Sequence, residues 1–228
     1  LFYNVEDYPK ALNFYMKSLE IQKIIGDTKQ SSTAISLGNI GSVFLKYEDY
    51  DKALEYFLKS LEVLKTLHGD SHPDIATTYN NIAKAYEEQG YTEKALEYHF
   101  KGLEMKKILY KEPHSSTATS YYNIALIYNE QEEYEKAIEY YLNALEIDKV
   151  IDGENHPNTL DSYNNIAEIC KKVDEYQKAI EYNQKALDIR KTIYGEKHPD
   201  VAASYNNLAF VYEDLGKYKH AREYYQSA

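Results

Sequence analysis

His72, His114, His156 and His198 stand 42 residues apart, and imidazoles at a fixed spacing first suggest zinc ligation. Zinc ligands must all come within about 2 Å of one ion. Copies separated by an intervening helix, with neighbouring axes about 8–10 Å apart, stay too distant from one another for that. The histidines therefore read as linker structure, and neither a metal nor a cofactor is expected. Gly69-Asp70-Ser71-His72 has the look of a serine hydrolase fragment, yet Gly153-Glu154-Asn155-His156 and Gly195-Glu196-Lys197-His198 lack the serine. Cys170 shares the column of Phe44, Tyr86, Tyr128 and Tyr212, which makes it a packing residue rather than a nucleophile. Phosphate-loop, His-Glu-x-x-His and Gly-x-Ser-x-Gly patterns do not occur, so an enzyme is not expected.

Asparagine is the richer signal. Asn39, Asn81, Asn123, Asn165 and Asn207 recur at the same spacing, next to Asn80, Asn164 and Asn206. Inside a helix the asparagine side chain competes for backbone hydrogen bonds, so its repeated use asks for a reason. Each carboxamide offers two donors and an acceptor, enough to hold the backbone of an extended peptide. Alternatively, each amide bonds to the adjacent copy and sets the register of a stack. Both readings are open at this point.

Three to seven residues further on, the copies diverge. They read Ser42, Leu45, Lys46; Lys84, Glu87, Glu88; Leu126, Asn129, Glu130; Glu168, Lys171, Lys172; and Phe210, Glu213, Asp214. Such divergence encodes either partner choice or a solvated face under little constraint. The candidate peptide-binding set is Asn39, Asn80, Asn81, Lys84, Asn123, Leu126, Asn164, Asn165, Lys171, Asn206, Asn207 and Phe210. It lacks the concentrated lysine and arginine that would grip a terminal carboxylate. A partner with apolar anchors and mixed charge fits better.

The elements that must position these residues follow from the period. The blocks Tyr79-Asn80-Asn81-Ile82-Ala83, Tyr121-Tyr122-Asn123-Ile124-Ala125, Tyr163-Asn164-Asn165-Ile166-Ala167 and Tyr205-Asn206-Asn207-Leu208-Ala209 start 42 residues apart. A weaker copy, Leu37-Gly38-Asn39-Ile40-Gly41, precedes them. Ala11, Ala53, Ala95, Ala137, Ala179 and Ala221 form a second column. From it, Ala53, Leu54, Phe57, Ser60, Leu61 and Leu64 trace one stripe of a 3.6-residue helix. Tyr79, Ile82, Ala83 and Tyr86 trace another. Each unit is thus a hairpin: a first helix of about fourteen residues, a tight turn containing Gly90 or Gly216, and a longer second helix. Lys23, Lys65, Lys107, Lys149 and Lys191 complement the dipole near the second helix's end. The helix stops around Gly26, Gly69, Gly153 or Gly195, and His-Pro pairs open the next one.

These columns and the invariant alanine resemble the tetratricopeptide repeat. The 42-residue period, the Tyr-Asn-Asn-Ile-Ala block and the Gly-x-x-His-Pro-Asp linker are similar to its kinesin light chain version. The third linker, Lys111-Glu112-Pro113-His114, departs from that pattern. The resemblance implies an all-α fold, an α-solenoid of stacked antiparallel helix pairs in a right-handed superhelix, with the first helices lining the concave face. One solenoid over 1–228 is expected. It would comprise a partial repeat (1–25), full repeats at 34–68, 76–110, 118–152 and 160–194, and a truncated one at 202–228. Such arrays imply a scaffold that binds a peptide segment of a partner. The alternative is a sensing or autoinhibitory region of a larger signalling protein or enzyme.

A formal net charge of −11 argues against nucleic acid and anionic membrane as partners. With mean hydropathy −0.66, no apolar run approaches the roughly 18 residues that span a bilayer. A single cysteine allows no internal disulfide, which suits a reducing, cytoplasmic interior. Leu1 and Phe2 fall in register with Val43 and Phe44, core positions late in a first helix, and Ala228 with Ala186, the middle of a second helix. Both edges read as cut, so the chain is expected to be an excerpt whose open apolar ends invite end-to-end self-association.

Overall fold

A computed structural model describes residues 7–26, 30–111 and 113–228; Leu1 and Phe2 lie outside these. Among the described residues there are eleven helices and no strand. In order they are α1 (Tyr8–Ile24), α2 (Ser31–Lys46), α3 (Tyr50–His68), α4 (Pro73–Glu88), α5 (Thr92–Leu109), α6 (Ser115–Glu130), α7 (Tyr134–Ile151), α8 (Pro157–Lys172), α9 (Tyr176–Tyr194), α10 (Pro199–Asp214) and α11 (Tyr218–Ser227). The chain divides into two compact units, Leu1–Lys111 with α1 to α5 and Glu112–Ala228 with α6 to α11. Within each, consecutive helices pack against one another, giving stacked helical hairpins.

The hairpins close through one device. Each first helix is followed by a residue in the left-handed region: Glu48, Gly90, Glu132, Asp174 or Gly216, with φ between 59° and 78°. The next N–H then donates back to the last turn, as from Tyr91 to the Tyr86 carbonyl at 2.9 Å and from Glu133 to Tyr128 at 2.9 Å. Glycine occupies only two of these five sites, so three repeats hold an acidic residue where L side chains are disfavoured.

At the other end the histidines act as N-caps. His72 Nδ1 accepts from the Asp74 N–H at 3.2 Å, and His114, His156 and His198 accept from Ser116, Asn158 and Asp200. This satisfies a donor that the helix itself leaves open. The first helices α2, α4, α6, α8 and α10 are each 16 residues long rather than about fourteen, and α2 reaches that length without a side-chain cap.

In the first unit the buried face of α3 is Ala53, Leu54, Phe57, Ser60, Leu61 and Leu64. Phe57 fills the space above Gly41, where an added Cβ would lie 2.7 Å from the ring. In the second unit Ala137, Tyr141, Ile166, Ile169, Ala179, Leu187 and Leu208 make the corresponding core. The tyrosines are largely packing groups: Tyr79 and Tyr86 bracket Tyr98 at 5.9 and 5.7 Å, and Tyr205 and Tyr212 bracket Tyr224 at 6.2 and 5.3 Å. Cys170 replaces one such ring; it is buried, and burial pushes its thiol pKa up. The late lysines do more than meet the helix dipole. Lys65 lies 5.8 Å over the Tyr79 ring and Lys191 5.2 Å over Tyr205, each the first tyrosine of the following hairpin.

Candidate peptide-binding face

The two asparagine columns point in different directions. The first column turns its oxygen inward: Oδ1 of Asn80 and of Asn164 is buried without a hydrogen-bond partner. At Asn80 the reason is visible, because a Cβ on Gly102 of α5 would lie 2.7 Å from that oxygen. The amide fills the space left by the small residue of its own hairpin. Asn206, the third member, is half-buried.

The second column lies closer to solvent. Asn39, Asn81, Asn123 and Asn165 are half-buried, and Asn207 is exposed. Asn165 Nδ2 donates to the Tyr122 hydroxyl at 2.9 Å, a bond from α8 to α6 that sets register between neighbouring hairpins. Tyr122 stands in the column of Asn80 and Asn164, which explains why this bond forms once. Among the described residues Asn39, Asn81, Asn123 and Asn207 make no side-chain hydrogen bond within the fold.

Lys84 is exposed and pairs with Glu87 and Glu88 of its own helix at 3.2 and 3.1 Å, and half-buried Leu126 packs on the core. In the second unit the remaining candidates come together. A hollow of about 390 Å³ among α8, α9 and α10 is lined by Asn164, Lys171, Asn207 and Phe210, with Glu168, Asn183 and Arg190 beside them. Phe210 is 48% exposed, and Lys171 lies 5.7 Å over its ring while pairing with Asp214 at 3.0 Å. The wall thus combines an aromatic anchor, free amide groups and both signs of charge.

Some residues escaped the sequence reading. Gln22, Lys106, Asp148 and Arg190 share the column of Leu64 on the second helices, and all but Arg190 are buried. Burial pulls the Lys106 amine down to about 8. Burial, then the charge of Asp152, push the Asp148 carboxyl up to about 6, with His156 acting the other way. Charge at a column that reads leucine at position 64 was the available signal. Among the described residues no group of three His, Cys, Asp or Glu side chains could hold a metal ion, and no helix is long and apolar enough to cross a membrane.

Helical hairpins repeated at one period, with small residues between their axes, define an α-solenoid of the helical-repeat class. The chain belongs to the tetratricopeptide repeat family, whose model matches residues 1–66, 32–108, 116–192 and 162–228. Its fold is similar to that of BtubC (BKLC) from P. vanneervenii, at 22% identity and TM-score 0.77, covering 96% of this chain and 88% of that one. A putative kinesin light chain from Podosopora anserina with nearly identical TPR-like repeats matches at 21% identity and TM-score 0.72, covering 87% and 94%. The apo form of RapI matches at 20% identity and TM-score 0.77, over 94% of this chain and 57% of that protein. At these identities the likeness is one of fold. No curated protein matches the chain.

Proposed function

We propose that this chain is a protein-interaction scaffold that holds an extended or helical segment of a partner along the concave face formed by its first helices. The supporting observation is the hollow among α8, α9 and α10, where Asn164, Lys171, Asn207 and Phe210 converge. Asn207 makes no side-chain hydrogen bond within the fold, and Phe210, packed edge-to-face on Tyr225, keeps about half its surface open as an apolar anchor. Lys171 and Glu168 add charge of both signs, so the partner segment is apolar with mixed charge. The net charge of −11 opposes nucleic acids and anionic membranes, which leaves protein as the partner class. A cytoplasmic location fits the single buried thiol.

The test is selection of peptides from a displayed random library, followed by titration against Asn207→Ala/Phe210→Ala. These residues are exposed, so the helical circular dichroism signal should not change. At least a tenfold loss of affinity is expected; an unchanged affinity rejects this face as the binding surface.

A further inference from the structure

Between α6, α7 and α8 of the second unit lies another hollow, of about 220 Å³, lined by Ala118, Thr119, Tyr122, Asp148, Asn158 and Asp161. Asp148 is 6% exposed, and among the described residues its carboxylate has neither a hydrogen bond nor an ion pair. A buried carboxylate without a partner is costly, and most such groups are paired. The surrounding groups offer acceptors. The Thr119 hydroxyl spends its proton on the Ser115 carbonyl at 3.0 Å. The Asn158 amide nitrogen donates to Asp152 at 3.3 Å, which leaves its oxygen over. The Tyr122 oxygen already accepts from Asn165, so its phenol adds a hydroxyl to the wall, and Asp161 adds a second carboxylate.

Nearby cations are engaged elsewhere. Arg190 lies close enough to Asp161 to favour its ionised form, but its guanidinium donates to Ser204. His156 pairs with Asp152 at 3.5 Å. The lining therefore runs from a buried carboxylate to an exposed rim at Thr119, Asn158 and Asp161, in a space suited to one long side chain.

We propose that this hollow is a pocket for one basic side chain, arginine or lysine, of the partner segment, with Asp148 and Asp161 as its counter-charges. The proposal rests on the scaffold reading above and adds a chemical class to it. Asp148 ionises only above about 6, so capture should be strong at pH 7.5 and weak at pH 5. Asp161, Asp152, His156 and Tyr122 are the other titratable groups around it.

The probe is N-acetyl-arginine amide, titrated into the labelled protein while the amide resonances of Tyr122, Asn158 and Asp161 are followed. N-acetyl-citrulline amide, of nearly the same shape without the charge, is the control. Arginine amide should shift these resonances at pH 7.5, with affinity at least tenfold lower for Asp148→Asn, lower for Asp161→Asn, and lower at pH 5. No shift, equal binding of citrulline amide, or full affinity in Asp148→Asn overturns the pocket. The library selection keeps the two proposals distinguishable. Peptides that bind the first-helix face without a basic residue sink the pocket alone, whereas a bound arginine amide with no selected peptide sinks the scaffold reading alone.

Discussion

The hairpin of α4 and α5 and the hairpin of α8 and α9 carry the same two columns and use them in opposite ways. In the first, Glu87 turns inward to buried His99, with Oε1 and Nε2 3.3 Å apart. The ionised carboxylate can only accept, so Nε2–H is the donor. In the second, Lys171 reaches outward to Asp214 and Phe210, and Asn183 lines the open hollow. The remaining copies vary the theme. Leu45 and Phe57 share a core, the Tyr225 hydroxyl donates to Glu213 at 2.8 Å, and Asn129 Oδ1 and the Tyr141 hydroxyl are buried without partners. Divergence along a repeat column therefore has two causes, compensation inside a hairpin and chemistry offered outside it. Only the second bears on partner choice.

The largest effect should come from breaking the inward pair. Glu87→Ala leaves the buried His99 N–H without an acceptor and should cost about 2 kcal/mol in urea unfolding. Burial of Glu87 opposes its ionisation, but the hydrogen bond and charge of His99, with Lys84, outweigh it and hold the carboxyl below its ordinary value of 4.5. The ionisation-linked part of the stabilisation is thus present above pH 4.5 and lost as pH falls through the lower folded value, so the gap between variant and parent should narrow in strong acid. Equal stability at pH 7 would remove the distinction between the two hairpins.

Asp148 gives the opposite sign. Its folded value is raised, to about 6 from 3.8. The favourable effect of the neutral form is present below 3.8 and lost as pH rises through 6. Asp148→Asn should therefore raise the thermal midpoint by about 2–4 °C at pH 7.5 and leave it unchanged below pH 4. A residue whose removal stabilises the fold while weakening capture belongs to the outward class. A lower midpoint at pH 7.5 would return it to the inward one.

The turn between the helices offers a smaller contrast. Glu132→Gly relieves a left-handed L residue, a gain of about 1–2 kcal/mol offset by the greater freedom of glycine in the unfolded chain. A net gain of about 0.5–1 kcal/mol is expected in thermal unfolding, with a comparable loss for Gly90→Ala. If Glu132→Gly destabilises, the side chain holds the turn in a way its backbone does not reveal.

Legibility followed the same division. The buried stripe of α3 could be read residue by residue because a 3.6-residue period and burial coincide there. The turns at Gly90 and Gly216 and the His-Pro helix starts were legible because local backbone chemistry sets them, whereas nothing marked Glu48, Glu132 and Asp174 as left-handed. The capping role of the imidazoles was not legible either, because histidine is an uncommon cap and Nδ1 geometry is invisible in a string of letters. Nor was the fate of the asparagines. Whether Asn80 turns its oxygen toward Gly102, or Asn165 finds Tyr122, depends on what the facing helix presents. Asp148 was missed because an acidic residue in a polar helix is assumed to be solvated, whereas its column runs through the interior.

The smallest effect is the most discriminating. Lys171 and Asp214 are each 41% exposed, so their ion pair is screened and contributes little. Lys171→Ala should lower stability by no more than about 0.5 kcal/mol in urea unfolding. Its cation over Phe210 and its place on the hollow's wall should nonetheless matter to a bound segment, with a three- to fivefold loss of peptide affinity, about 1 kcal/mol or less. The two measurements together separate the classes. Glu87→Ala should move stability and spare peptide affinity, and Lys171→Ala should do the reverse. A loss of stability above about 1.5 kcal/mol in Lys171→Ala, a size ordinary for buried pairs and rare for exposed ones, would make Lys171 an inward residue and empty the hollow of its only lysine.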